Sequence, residues 1–486
     1  MKKIESDVIV VAAGPAGLAA SISAAEAGKR VLTFEKSNTT GGAGNMGMGP
    51  FGLETRIQKD SFINLSKKEA FDKHMVYTHY RVDANLVQAY FEKSTDTIAW
   101  LQDMGVEFVG AFKYFAASEA TWHIVKPENG VPGPRAASAM YKIMTERAKE
   151  LGVEFQLETP VKKLIVEDGK VVGVTAVDRS GEEIEARGKA VIIATGGFGD
   201  NPDMIEKYLG YKCGEDYFPF MIPGIKGDGL NMCWEIGAAK YGLGSEIIFL
   251  LPDNNNWFSL DAVMRQPNLL INKNGERFMN EDQMENTTFA GNAIGLQPGR
   301  YAYCIMDERI KKTYQRNGLD VIDIVHSASV INGFDEEVAR AKESGYEGFI
   351  EADTVEELAE KMGIDPDKLQ DTIDEYNDMC DNNIDTQFGK SPKFLRPIGK
   401  GKLYAGKYYL GAYGTIGGLK INAKCEVYDT KDEVIPGLYG AGQDANTIYG
   451  DSYNFLLPGN SMGFAVNTGR MAGEAAADYI DNEAGR

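Results

Sequence analysis

Residues 7–35 read DVIVVAAGPAGLAASISAAEAGKRVLTFE. An apolar strand runs into a Gly-rich turn, an Ala-rich helix follows, and a second apolar strand ends on Glu35. That order is the fingerprint of a dinucleotide-binding βαβ unit. The tight turn lets backbone approach a pyrophosphate, whose charge is stabilised by the N–H groups and dipole of the helix beginning near Ala16. Glu35 is then placed to accept hydrogen bonds from an adenosine ribose. Ala12 stands where the GxGxxG pattern has its first glycine, so only Gly14 and Gly17 fill it. The strand, the helix and the acid around them carry the assignment.

With 486 residues the chain can bury a large core and is expected to form two domains. Its formal charge of −20 would be repelled by nucleic acid and by anionic membrane surfaces alike. The five cysteines, Cys213, Cys233, Cys304, Cys380 and Cys425, are widely spaced and form no CxxC or CxxCH. Metal, haem attachment and a disulfide framework therefore lack support, and a reducing compartment fits. Met1-Lys2-Lys3 passes directly into the first strand, which leaves no room for a signal peptide, and no apolar run is long enough to span a bilayer. A cytoplasmic protein with no membrane insertion is expected.

Beyond the βαβ unit, Thr40–Gly52 reads TGGAGNMGMGPFG, too rich in glycine for a regular element and suited to backbone lying against a flat ligand. Amphipathic helices are expected around Ala84–Gly105 and Ala136–Gly152, then a β-ribbon, VKKLIVEDGKVVGVTAV, turning at Asp168-Gly169. A buried strand ends in ATGGFG from Ala194 to Gly199, and Asp228 opens a helix as a favourable N-cap carboxylate. From Pro223 to Ser391 helices and strands alternate without a nucleotide fingerprint. The charged run 351–383 reads as a mostly solvated helical pair. Strands return at Gly417–Asn422 and Leu438–Ala441, and a last helix, about Ser461–Ile480, follows the loop Gly442–Gly459.

Taken in order, AAGPAG with Glu35-Lys36, Gly41-Gly42, ATGGF, GDG at 227–229, NKNGERFMNE at 272–281, ADTVEELA at 352–359, TIGG at 415–418, GLYGAGQ at 437–443 and GNSMG at 459–463 resemble a flavoprotein family. It is the family of soluble fumarate reductases, urocanate reductases and 3-ketosteroid dehydrogenases. The resemblance covers nearly the whole chain. It implies an α/β fold, a Rossmann-like FAD-binding domain over 1–222 and 392–486, interrupted by a smaller α+β capping domain over 223–391. The flavin ring would lie at their interface, where closure excludes water. Residue by residue, it puts the pyrophosphate and ribose on Ala13, Gly14, Ala16 and Glu35, with Lys36 and Ala194 in the same nucleotide set. The isoalloxazine falls beside Ala43, Gly44, Met48 and Gly49, and Asp228, Gln443, Ser461 and Met462 match further FAD contacts. Gln443 replaces a usual glutamate. Covalent members use a histidine in the glycine loop, and residues 39–50 have none, so noncovalent FAD is expected.

The same resemblance locates the cationic and polar anchors that fumarate reduction needs. At those positions this chain has Glu285, Gly414, Leu251 and Tyr453. A dicarboxylate there would be left with buried, unpaired charge, so fumarate and urocanate are unexpected substrates. The ketosteroid branch instead uses tyrosines, which donate to developing enolate charge without carrying a charge into a dry pocket. Tyr453 is the expected proton donor, Tyr449 the second candidate, and Arg265 a possible match to the family's proton-relay arginine; each could equally be packing or an ordinary ion pair. Phe455-Leu456-Leu457 adds apolar surface.

These residues lead us to expect an FAD-dependent ene-reductase that saturates a C=C bond conjugated to a carbonyl in a neutral, bulky substrate, steroid-like, bile-acid-like or an aryl enone. Hydride would come from flavin N5 and the proton from a tyrosine. Two alternatives stand beside it: a 3-ketosteroid dehydrogenase-like enzyme running the reverse reaction, and a flavin-carrying electron-transfer subunit. No second GxGxxG opens a strand–helix unit, so electrons are expected from a separate donor: reduced flavin, NAD(P)H or a redox protein.

Overall fold

Val8–Val11 and Val31–Phe34 are buried along their whole length. Such uninterrupted apolar runs suit the centre of a parallel sheet covered on both faces. In the computed structural model, which describes residues 1–322, 325 and 328–484, they pair in parallel at the middle of a six-stranded sheet. Its order is Glu426–Tyr428, Val434–Gly440, Ala190–Ile193, Val8–Val11, Val31–Phe34, Glu154–Gln156, antiparallel only at the Glu426–Tyr428 edge. The expected β-ribbon is present as Val161–Glu167 and Lys170–Val177. Asp168 and Gly169 turn it with φ of 48° and 76°, the left-handed pair a two-residue hairpin turn requires. Lys2–Glu5 and Glu183–Arg187 complete that second, four-stranded sheet.

The helix Pro15–Glu26 is rich in alanine because another helix lies almost in backbone contact with it. Asn460–Ala484, longer at both ends than expected, crosses it with glycines at the contact. A Cβ on Gly469 would overlap the Ala16 carbonyl, and one on Gly473 would overlap that of Ala20. The amphipathic helices form as Ala84–Asp103 and Ser138–Glu150.

A third sheet is organised by one 17-residue strand, Leu403–Leu419. It pairs in turn with Tyr217–Pro219, Lys240–Leu250, Tyr301–Asp307, Phe349–Ala352 and Ala445–Asn446. This sheet thus draws strands from both sides of the 223–391 segment as well as from within it. Residues 323–324 and 326–327 of that segment, and 485–486 of the last, lie outside the described residues. The charged run folds as helices Val355–Met362 and Pro366–Asp381, which bury Leu358, Leu369, Ile373 and Tyr376 and leave their acids in water. No helix among the described residues is long and apolar enough to cross a membrane. The end of Leu403–Leu419 and the short strand Ala445–Asn446 bring the third sheet against the ends of the parallel strands, and the site forms along that seam.

Candidate active site

A cavity of about 620 Å³ runs along the seam. Gly14 caps the helix Pro15–Glu26 with no side chain over its N-terminus, and a Cβ placed on Gly14 would meet no atom within 4 Å. The first-turn N–H groups therefore face open space, which is what a phosphate needs. Ala12 lines the same turn with φ of 84°, a conformation glycine adopts without cost. Glu35 is buried beside it: one carboxylate oxygen accepts from Ala13 N and the other from Ser37 N, both at 2.8 Å. Ala13 itself is enclosed, its carbonyl accepting from Gly41 N, and it holds the turn without reaching the cavity wall. Gly14, Ala16 and Glu35 do reach it.

The glycine loop is not wholly irregular. Gly41 and Gly42, at φ of 92° and 47°, turn the chain into a short 3₁₀ helix, Gly42–Met46. Beyond it a Cβ on Gly49 would overlap the His123 carbonyl, so the loop lies flat on the strand Trp122–Val125, with Trp122 Nε1 donating to Gly49 O at 2.8 Å. Ala43, Gly44, Met48 and Gly49 all line the cavity, as do Ala194 and Met462. Lys36 and Asp228 line it as an ion pair, Nζ to Oδ2 at 2.5 Å. The expected capping role of Asp228 is corrected here: Gly227, at φ of 83°, caps the helix Asp228–Glu235, and the Asp228 carboxylate is turned to Lys36.

Two buried acids were missed. Asp444, fully enclosed, accepts from the backbone N–H groups of Thr195, Gly196 and Gly197 and from the Thr195 hydroxyl, fixing the turn after Ala194. Burial raises its pKa against those bonds. Glu246 lies on Lys240–Leu250 and lines the cavity. Its Oε1 accepts from Gln443 Nε2 at 3.0 Å, and Gln443 also donates to Thr415 O while accepting from Asn446. Burial pushes the Glu246 carboxyl up to about 7, against hydrogen bonds from the Ser461 and Gln443 side chains. A lone acid inside the apolar run SEIIFLL was the signal for it.

Tyr453 lines the cavity and accepts from Ser461 N at 3.0 Å. Tyr449 packs behind it, ring centres 4.7 Å apart, fully buried and off the cavity wall. Burial raises both phenol pKa values well above the ordinary. The loop carrying them is held from the helix Lys67–Tyr77: Tyr77 donates to Tyr453 O at 2.9 Å, and His74 bridges Ile448 O and the Asn454 amide at 2.7 and 3.1 Å. Burial lowers the His74 pKa to about 4, so a neutral ring donates from Nε2 and accepts at Nδ1. Arg265 also lines the cavity, donating to Phe249 O and Thr287 Oγ1 at 3.0 and 3.3 Å over the Phe249 ring. Of the four anchor positions, Gly414 and Tyr453 are on the wall. Leu251 is buried with its N–H on Asp261, and Glu285 accepts from Ala117 N.

The wall around Tyr453 is a chain of rings. Phe220 stacks on Tyr413 at 5.2 Å, Tyr413 meets Phe455 at 6.2 Å, and Phe455 meets Tyr453 at 4.6 Å and Tyr114 at 5.0 Å. Besides Glu35, Lys36 and Asp228, the charged side chains lining the cavity are Glu246 and Arg265.

Comparison with known proteins gives this geometry its context. The family model described as an FAD binding domain matches residues 7–462. The vinyl phenol reductase of Lactiplantibacillus plantarum is 34% identical over 490 residues, covering 98% of this chain and 97% of that protein. The NADH:fumarate oxidoreductase of Klebsiella pneumoniae is 29% identical, and there the match covers 97% of this chain but 47% of the relative. Among solved structures, the 3-ketosteroid-Δ4-(5α)-dehydrogenase of Rhodococcus jostii superposes with a TM-score of 0.76 at 25% identity, over 98% of both chains.

Proposed function

The chain belongs to the FAD binding domain family and is an FAD-dependent oxidoreductase acting on C=C and CH–CH groups, and from that premise we propose that it reduces a C=C bond conjugated to an aromatic ring or a carbonyl in a small, neutral substrate. The observation that carries the reading is the ring-lined wall, with a buried acid where a carboxylate-binding site needs cations. A dicarboxylate would meet Glu246, and the Arg265 guanidinium is already engaged by Phe249 O, Thr287 and, at 3.7 Å, Asp261. The relative whose name is vinyl phenol reductase supports an aromatic substrate. The cavity that would take the dinucleotide also carries the ring-lined wall, so a substrate held there would lie beside the flavin.

The residues present suit FAD. An uncapped helix N-terminus fronts open space at Gly14, the Glu35 carboxylate is preset by two N–H groups, and the flat glycine loop offers backbone to a planar ring. When bound, FAD supplies a two-electron, hydride-transferring centre. The chain's own groups do the rest. The aromatic wall orients the substrate and keeps water away. Tyr453, with Ser461 N donating into its oxygen, keeps its hydroxyl hydrogen for a substrate carbon. Electrons reach the protein from a separate donor.

The test is anaerobic photoreduction of the holoprotein, followed by mixing with ring-conjugated alkenes, neutral enones and fumarate while reoxidation is followed by absorbance. Reoxidation by the neutral alkenes and none at a useful rate by fumarate is expected; rapid, saturable turnover of fumarate alone overturns the reading.

A further inference from the structure

Glu246 is a carboxyl with 3% exposure and no ion-pair partner among the described residues. Burying such a group without a cation is costly, and the strand beyond it, Ile247–Leu250, is wholly apolar. Its Oε1 is held by Gln443. Its Oε2 looks across Gly414, where even an added Cβ would stand 3.8 Å away, so no side chain at 414 covers it. The candidate acid, Tyr453, fronts the same cavity, its phenol oxygen accepting from Ser461 N at 3.0 Å. Two proton-active groups thus face one cavity.

We propose that Glu246 is a catalytic residue that takes, and then returns, the hydroxyl proton of a substrate whose phenol is conjugated with the reduced double bond, a para-hydroxystyryl compound. This rests on the reductase reading above. An alkene bearing an electron-rich ring resists hydride. The barrier falls when the O–H electron pair moves into the ring as a proton adds to the terminal alkene carbon from Tyr453. The phenol proton passes to the Glu246 carboxylate, and the substrate becomes a neutral quinone methide. Its exocyclic carbon accepts the hydride from reduced flavin, the π pair returns to oxygen, and Glu246 gives its proton back. The substrate gains one proton and one hydride; Tyr453 is reprotonated from solvent. Gln443, by fixing Oε1, leaves Oε2 to the substrate.

Reduced holoprotein is mixed with 4-vinylphenol and with its 4-methoxy ether, and the ratio of reoxidation rates is read. Wild type should favour the phenol by about 10²-fold or more, the range of a lost general base, and Glu246→Gln should bring the ratio towards one. Binding of the saturated probes gives a second readout, followed by the visible flavin spectrum. Wild type should bind 4-ethylphenol about 10- to 100-fold tighter than 4-ethylanisole, as a hydrogen bond to a charged acceptor implies. This comparison needs no variant and holds if Glu246→Gln fails to fold. Equal rates or equal binding of the two ethers and phenols by wild type overturns the proposal and leaves the reductase reading standing. A large ratio that survives Glu246→Gln overturns it too. Silence with both styrenes and with every enone sinks the reductase reading and this proposal together.

Discussion

At Tyr453 the direction of one hydrogen bond matters more than its length. Because Ser461 N donates into the phenol oxygen, the tyrosine's own hydrogen must point elsewhere. Tyr453→Phe should keep FAD content and packing while lowering the reoxidation rate by about 10²–10⁴-fold, the range for a lost general acid. Tyr449→Phe, off the cavity wall, should cost less; equal losses in stopped-flow traces would reassign the donor. Glu246 makes a different prediction. Its folded pKa, about 7, lies above the ordinary 4.5, so folding binds a proton: the contribution to stability is full below about pH 4.5 and is lost as pH rises through 7. Glu246→Gln should therefore gain on wild type in thermal unfolding between pH 5 and pH 8, by at most about 3 kcal/mol. Glu35→Ala should weaken FAD binding by roughly 1–3 kcal/mol, measured by titration of the apoprotein. The family resemblance put Tyr453 ahead of Tyr449, but no local pattern in the loop they share separates them, and only tertiary packing sends one to the cavity and the other behind it. Glu246 escaped because its partner Gln443 lies far away in the chain, and no local pattern pairs them.

The Gly–Ala crossing of Pro15–Glu26 and Asn460–Ala484 sets how near the phosphate-facing turn lies to the last helix. Gly469→Ala should lower stability by about 1–3 kcal/mol, because the new methyl meets the Ala16 backbone, which cannot yield as a side chain can. Thermal unfolding with and without added FAD measures it, and an unchanged midpoint would show that the helices part easily. Strands and helices with a strong period, such as Val8–Val11, Ala84–Asp103 and the ribbon at Asp168-Gly169, could be read directly, since hydrophobic pattern and turn chemistry are local. The 3₁₀ turn Gly42–Met46 could not: glycine permits it without demanding it. Nor could the capping of Asp228–Glu235, because Asp228 is an excellent cap by type and is diverted by Lys36 from another strand's end.

The three larger of the four sheets meet along one cavity, and the dinucleotide turn, glycine loop, Glu246 and Tyr453 all front it. The dinucleotide-binding βαβ unit was readable because its residues are contiguous; the third sheet was not, since its strands are gathered from residues 217 to 446 by the single strand Leu403–Leu419. With no histidine in residues 39–50, the flavin should leave with acid. Trichloroacetic acid precipitation should put FAD in the supernatant, and yellow colour kept in the pellet would show a covalent link. The contact between the helix at residue 15 and the helix at residue 460 also has a meaning in time. The phosphate-facing turn is made well before the helix that braces it, which follows some 450 residues later in the chain. Until Asn460–Ala484 has been made, the nucleotide cradle lacks the helix that packs against it, so a chain cut short before residue 460 should not hold FAD tightly.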